Sequence, residues 1–358
     1  MKSKILCAIL LSGTALNAIA QTNDSGESKT PCCYKNSCCN GNNQSPVGIM
    51  TDHIHPKGEW MFSYTNMLMG MSGMASGANG VSKSEVYNSY MMAPGTMTMQ
   101  MHMLMAMYGV TDRFTMMVMG AYQSAGMKMT MKPMVMQGME MPEQTMYMDA
   151  GGLSDTRVSA LYNISQKDSR RIIASLTAIV PTGRCDAQGI NMLGAQQWMP
   201  YSMQPGTGSW GITPGLTWAH PGEKWGYGAD ALGELRLNDN SMGYRVGNYY
   251  RASAWGSYRC TNFLNASLRA EYANQQSTSG VSNYSSLRYV VGDDPSYIVA
   301  NTGRSMLSAY VGANIHFQKN FLSHFDLLIE GGIPFFEHVN GLQMSNQFSF
   351  TTTLQYSL

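Results

Sequence analysis

From Glu59 to the end of the chain, apolar and polar side chains alternate in segments of about ten residues, the period-2 signature of strands with two unlike faces. The last segment is the clearest. Phe348, Phe350, Thr352, Leu354, Tyr356 and Leu358 make one face, mainly large and apolar, while Ser349, Thr351, Thr353, Gln355 and Ser357 make the other. Trp210, Ile212, Leu216 and Trp218 oppose Ser209, Thr213 and Thr217 in the same way. Tyr250, Ala252, Ala254 and Tyr258 oppose Arg251, Ser253, Ser257 and Arg259, and Leu264, Leu268 and Tyr272 oppose Asn265, Ser267, Arg269 and Glu271. Charges fall on one face only. A soluble sandwich would turn that face to water, whereas a transmembrane barrel turns the apolar face to lipid and the polar face to the lumen.

Connection lengths choose between the two. The pattern predicts strands near 59–69, 97–109, 113–122, 154–164, 171–180, 209–219, 225–237, 247–259, 263–273, 304–317, 325–333 and 346–358. The intervals between them alternate long and short, from 70–96 and 110–112 through 123–153 and 165–170 to 318–324 and 334–345. An even number of strands, with short turns on one rim and longer loops on the other, is what a transmembrane barrel predicts. A sandwich gives no reason for such alternation. The expected fold class is therefore all-β, a transmembrane antiparallel outer-membrane barrel of about 12 strands over 59–358.

The N-terminus agrees with export. MKSKILCAILLSGTALNAIA has Lys2 and Lys4, an apolar run from Ile5 to Leu11 and small residues up to Ala20, the layout of a signal peptide over 1–20, cut before Gln21. Cys7 lies inside the apolar run, away from the cleavage junction, which argues against a lipid anchor. The remainder carries 21 basic and 22 acidic residues, a balance that does not suggest nucleic acid as a partner. No later stretch approaches the ~20 apolar residues of a membrane-spanning helix, so an exported chain in a membrane is expected there as a barrel.

Residues 21–58 read as a cysteine-bearing periplasmic tail or linker. PCCYKNSCCN sets Cys32, Cys33, Cys38 and Cys39 close together; in an oxidising compartment disulfides are the default, with a thiolate metal site as the alternative. Cys185 is expected in a long outer loop and Cys260 in a short periplasmic turn, at opposite rims, too far apart to pair.

Methionine changes the picture of function. Of 33 methionines, 26 fall between Met50 and Met148, and thioether sulfur is a soft donor suited to Cu(I) or Ag(I), although methionine is also an adaptable apolar filler. In MTMQMHMLMAM, methionines 97, 99, 101, 103, 105 and 107 alternate with Thr98, Gln100, His102, Leu104 and Ala106. By the rule of the other strands the polar set points inward, so these sulfurs are expected on lipid and His102 in the lumen. The stretch 123–153 is expected as an outer loop, where Met127, Met129, Met131, Met134, Met136, Met139 and Met141 at i, i+2 spacing are the candidate soft-metal ligands. His53 and His55, in MTDHIHPKGE, are weaker candidates on the periplasmic side, where a solvated linker is the plainer reading. Arg157, Arg171, Asp230, Glu234, Arg236, Arg251, Arg259, Arg269, Glu271, Asp326 and Glu330 are expected to face inward, with mixed signs that suggest an internal salt-bridge lattice. GTGSWG matches a dinucleotide-binding glycine pattern but opens a strand instead of a helix, and no nucleophile and base can be named, so no enzyme is expected.

HPKGEWMFSY (55–64), MHMLMAMYGVTDRFTMMVMGAY (101–122), DTRVSALYNI (155–164), YSMQPGTGSWGITPGLTW (201–218) and NDNSMGYRVGNYYRASAW (238–255) resemble the outer-membrane family named for the meta-pathway of phenol degradation, in its methionine-rich branch. The resemblance covers roughly 50–358 and implies a gated or narrow barrel of the bacterial outer membrane that handles soft metals or aromatic compounds. It brings no catalytic motif. Two functions stay open: a passive transporter or binding protein for Cu(I) or Ag(I), with periplasmic metal-handling proteins as candidate partners, and a channel for hydrophobic or aromatic small molecules with no metal role.

Overall fold

The computed structural model describes residues 45–136, 139–167, 170–190, 196–282, 294–318 and 320–358. The expected signal peptide and Cys32, Cys33, Cys38 and Cys39 lie outside the described residues.

The alternating segments form one closed antiparallel sheet of eleven continuous strands: β1 (Trp60–Gly77), β2 (Met92–Thr111), β3 (Phe114–Met131), β4 (Thr156–Lys167), β5 (Arg170–Val180), β6 (Gly211–Pro221), β7 (Trp225–Arg236), β8 (Tyr249–Arg259), β9 (Leu264–Gln275), β10 (Arg304–His316) and β11 (Phe325–Ser357). Two further strands join the sheet. Asn79–Val81 turns back on β1, and Gln144–Leu153 pairs with the upper half of β3 above β4, so that it and β4 act as one stave. Closure comes from β11 pairing back to β1, which leaves no open edge for lipid to face.

Pairing direction fixes the stave count. Ten strands separated by antiparallel steps make β1 and β10 run in opposite senses, yet β11 is antiparallel to β10 along 326–339 and to β1 along 339–357. One 33-residue strand can satisfy both only by reversing between them. The reversal falls at Asn340–Gly341, where Gly341 has φ 62°, the left-handed backbone of a two-residue hairpin turn. The barrel thus has twelve staves, as the alternation predicts. The expected long loop 334–345 is instead strand with a tight turn.

The expected loop 123–153 also proves to be mostly strand. β3 continues to Met131, Met134–Met136 and Met139–Met141 form a separate small hairpin, and Gln144–Leu153 returns along β3. β1, β2 and β3 have 18, 20 and 18 residues, against 11 to 13 in β4–β10. A tilted strand crosses the hydrocarbon in about 9–11 residues. The surplus on this side projects beyond the lipid and builds a tall outer lip. A short helix, α1 (Lys83–Ser89), caps this lip and is itself started by Ser82, whose side chain accepts from the Glu85 backbone while Glu85 accepts from the Ser82 backbone.

The outward face is apolar and aromatic, with Trp60, Phe62, Leu104, Val118, Trp210, Leu216, Trp218 and Phe350 all exposed. Inside lie, among the described residues, two large apolar clusters and two smaller ones; the large ones are distinct in position. The outer one gathers Met97, Met127, Met129, Met146, Met148, Met199, Met203 and Tyr297; the other, toward the short-turn rim, gathers Ile54, Met61, Met105, Met107, Met117, Leu161 and Ile173.

Candidate functional site

The lumen has two unlike walls, and the first corrects the expected facing of β2. Met107 is wholly buried and Met97, Met103 and Met105 are buried, while Leu104 is 67% exposed. The methionines therefore point inward, and the set Thr98, Gln100, His102, Leu104 points outward, away from the lumen. Pairing explains it. Trp60, Phe62 and Tyr64 commit one face of β1 to the membrane interface, which sends Met61, Ser63 and Thr65 inward, and Met61 lies opposite Met107. Register carries the choice to β3, where Met107 meets Met117. His102 is thereby an outer-face residue, its Nδ1 2.7 Å from the Tyr64 hydroxyl and 3.1 Å from the Asn66 amide. Trp60, Phe62 and Tyr64 on the neighbouring strand are the sequence signal for this facing.

Inward thioethers stack as rungs across neighbouring strands. Met71 lies opposite Met97, Met97 opposite Met127 and Met127 opposite Met148, a row of four; Met67 opposes Met101 and Met69 opposes Met99. Met129 opposes Met146 one rung further out.

The second wall is the expected salt-bridge lattice. Arg157 Nη1 lies 2.8 Å from Glu234 Oε2, and Arg236 bridges Glu234 and Asp155. Arg251 donates to Asp230 at 2.8 Å, and Arg269 binds both Glu271 and Glu330, its guanidinium 3.8 Å above the Tyr310 ring. His316 and Asp326 close the row near the short-turn rim at 2.6 Å. Charges of both signs neutralise one another across strands, so the wall is polar but internally compensated.

Between the walls runs residues 45–58, expected as part of an exposed tail. This strap lies against inward-facing side chains. Asn314 donates to the Ser45 carbonyl at 3.1 Å, Gly48 N–H donates to Glu330 at 2.9 Å and Arg251 donates to the Gly48 carbonyl at 3.1 Å. Thr51 meets Thr217 at 2.7 Å, and His55 N–H donates to Thr115 at 2.9 Å before the chain enters β1. Gly48 is required here, because a Cβ would collide with the Arg269 guanidinium. His53 and His55, expected in a solvated linker, are thus inside: His55 is 1% exposed, their rings sit edge-on 5.2 Å apart, and His53 Nδ1 is 2.6 Å from Asp52. Burial, reinforced by His53, pushes the His55 imidazole down to about 3. Strap and wall line a partly open pocket with only about 30 Å³ of free space, with an apolar side (Val47, Ile49, Met50, Met105, Leu328) and a polar side that includes His53, Thr65 and Gln355.

The other expected ligands separate. Met127 and Met129 are buried in the outer cluster and Met131 is half-buried, whereas Met134, Met136, Met139 and Met141 belong to the separate hairpin. A second, smaller pocket at the outer lip is lined by Met92, Met129, Met146, Met148, Met199, Gln197 and Asp294. Cys185 is buried beside the Ser241 hydroxyl at 3.6 Å, and Cys260 lies in the β8–β9 turn.

Residues 133–321 match the family profile described as "Putative MetA-pathway of phenol degradation". An outer-membrane channel from Pseudomonas putida F1 has a similar fold, with a TM-score of 0.57 and 12% identity over 88% of this chain and 100% of its own. A FadL homologue from Pseudomonas aeruginosa (TM-score 0.39, 12% identity, 84% of this chain and 89% of its own) and the toluene transporter of P. putida (0.38, 10%, 85% and 90%) match too loosely to carry an argument. No curated protein sequence matches the chain. The closed barrel with its apolar outer belt, the family profile and the fold shared with the P. putida F1 channel place the protein in the bacterial outer membrane.

Proposed function

Because the chain belongs to the MetA-pathway of phenol degradation family, whose profile spans more than half of it, we propose that it is a narrow outer-membrane conduit for small, uncharged apolar or aromatic solutes. The inward-facing methionine wall is the observation that carries this reading. Thioethers neither donate strong hydrogen bonds nor carry charge. They reshape around a ligand and contact aromatic rings favourably, by about 0.3–1.5 kcal/mol each. The facing lattice is internally paired, so the lumen offers an ion no uncompensated wall, while an apolar solute keeps contact with the methionine rungs.

The test is uptake of small phenols at limiting concentration by cells with intact outer membranes. Expression of the protein should raise uptake, and Met103→Asp with Met105→Asp should lower it at least tenfold while the barrel still folds. No gain over cells lacking the protein would sink the proposal.

A second reading, that the thioethers hold a soft monovalent metal ion, is favoured by the convergence of rungs at the outer lip. Retention of Ag(I) by the folded barrel, measured after desalting, tests it; a barrel that retains none rules it out.

A further inference from the structure

The small pocket of the outer lip gathers methionines from separate stretches of chain: Met92 from β2, Met129 from β3, Met146 and Met148 from the returning strand Gln144–Leu153, and Met199 from the segment before β6. Met129 and Met146 are direct cross-strand partners. Directly opposed residues hold their Cβ atoms about 4.5–5.5 Å apart, and the flexible arm of methionine lets two such sulfurs meet at one point. Met129, Met146, Met148 and Met199 are each at most 8% exposed. The same pocket is lined by Asp294, wholly buried, whose Oδ1 accepts from the Ser296 backbone at 2.9 Å and the Ser296 hydroxyl at 2.6 Å.

We infer that this pocket binds one soft monovalent cation of the Cu(I) or Ag(I) class through thioethers drawn from Met129, Met146, Met148 and Met199, with the Asp294 carboxylate balancing its charge. The inference rests on the second reading above and names its place in the fold. Donor chemistry sets the class. Neutral sulfur is a soft donor, whereas Mg and Ca need sets of oxygens and zinc takes imidazole, thiolate or carboxylate. Among the described residues no group of three or more His, Cys, Asp or Glu is arranged to hold a metal. A divalent ion would also bring one charge more than a single carboxylate offsets. Packing alone accounts for the methionines less well: leucine would fill an apolar interior with better-defined rotamers, and Asp294, which caps the turn Pro295–Tyr297, also brings a carboxylate to the edge of this void.

The experiment is Ag(I) titration of the full barrel with every cysteine changed to serine, read by calorimetry and by X-ray absorption at the silver edge. One tight ion per chain with a thioether-sulfur shell is expected. Met129→Leu with Met146→Leu, which conserves volume, should weaken binding at least tenfold, and Asp294→Asn should weaken it severalfold. Met103→Leu with Met105→Leu should leave it unchanged. The heat-dependent gel mobility of each variant reports whether the barrel is folded. Absence of tight Ag(I) in the parent overturns both this site and the second reading. Ag(I) kept by the Met129/Met146 variant and lost from the Met103/Met105 variant overturns the lip site alone, and so does a shell without sulfur.

Discussion

At the scale of single residues, the same letter does different things according to its partner. Methionine 97 to 107 alternates as strictly as any lipid-facing run, yet its side chains line the lumen because Trp60, Phe62 and Tyr64 on the neighbouring strand already claim the membrane. Alternation was legible; the sign of the face was not, since Leu104 and Tyr108 on one side and six thioethers on the other are close in hydropathy. The charged residues were easier, because a carboxylate or guanidinium on lipid is costly whichever strand bears it. Arg269 shows how tightly they are held, 6% exposed between Glu271 and Glu330. Glu330→Ala removes a partner of that buried cation and a hydrogen-bond acceptor of the Gly48 N–H. It is expected to destabilise the barrel by about 3–5 kcal/mol. Urea unfolding in detergent checks this, and Arg269→Met combined with Glu330→Leu should recover much of the loss.

At the scale of elements, the strap over 45–58 is the part that strand periodicity could not announce. It has no period, and its hydrogen bonds go to residues up to 282 positions away. His55 makes its seating depend on pH. Its value of about 3 in the seated strap lies below the ordinary 6.5, so a released strap takes up a proton more readily than a seated one. The contribution of His55 to seating is therefore fully present above 6.5 and is lost progressively as pH falls from 6.5 toward 3, by up to about 1.4 kcal/mol per unit. A thiol placed at Val47, buried at neutral pH, should react with a water-soluble maleimide at a rate that rises, relative to that of a fully exposed thiol at the same pH, as the medium is acidified. An unchanged rate down to pH 4 would rule out this linkage. The strands of the outer lip are likewise longer than periodicity indicates: methionine among Lys and Thr around Met127 and Met129 does not resemble membrane strand, and that part of β3 stands beyond the lipid.

At the scale of the whole molecule, a barrel with one thioether wall and one ionic wall is a polarised conduit whose asymmetry depends on which way β2 faces. Cysteine scanning reads this directly. A spin label at position 102 should be relaxed by oxygen dissolved in the lipid, and one at position 103 should be shielded from it; the reverse pattern would restore the lipid-facing assignment of the methionines. The sequence by itself determined the architecture: period-2 alternation, charges confined to one face and unequal connections leave little besides an antiparallel outer-membrane barrel, and twelve staves follow from counting the segments. These are local properties, repeated in every strand. Tertiary structure alone decided the facing of β2, the passage of the strap through the lumen and the meeting of Met129, Met146 and Met199 at the lip. Each depends on contacts between residues distant in the chain, set by register and closure, which no alternation within one strand records.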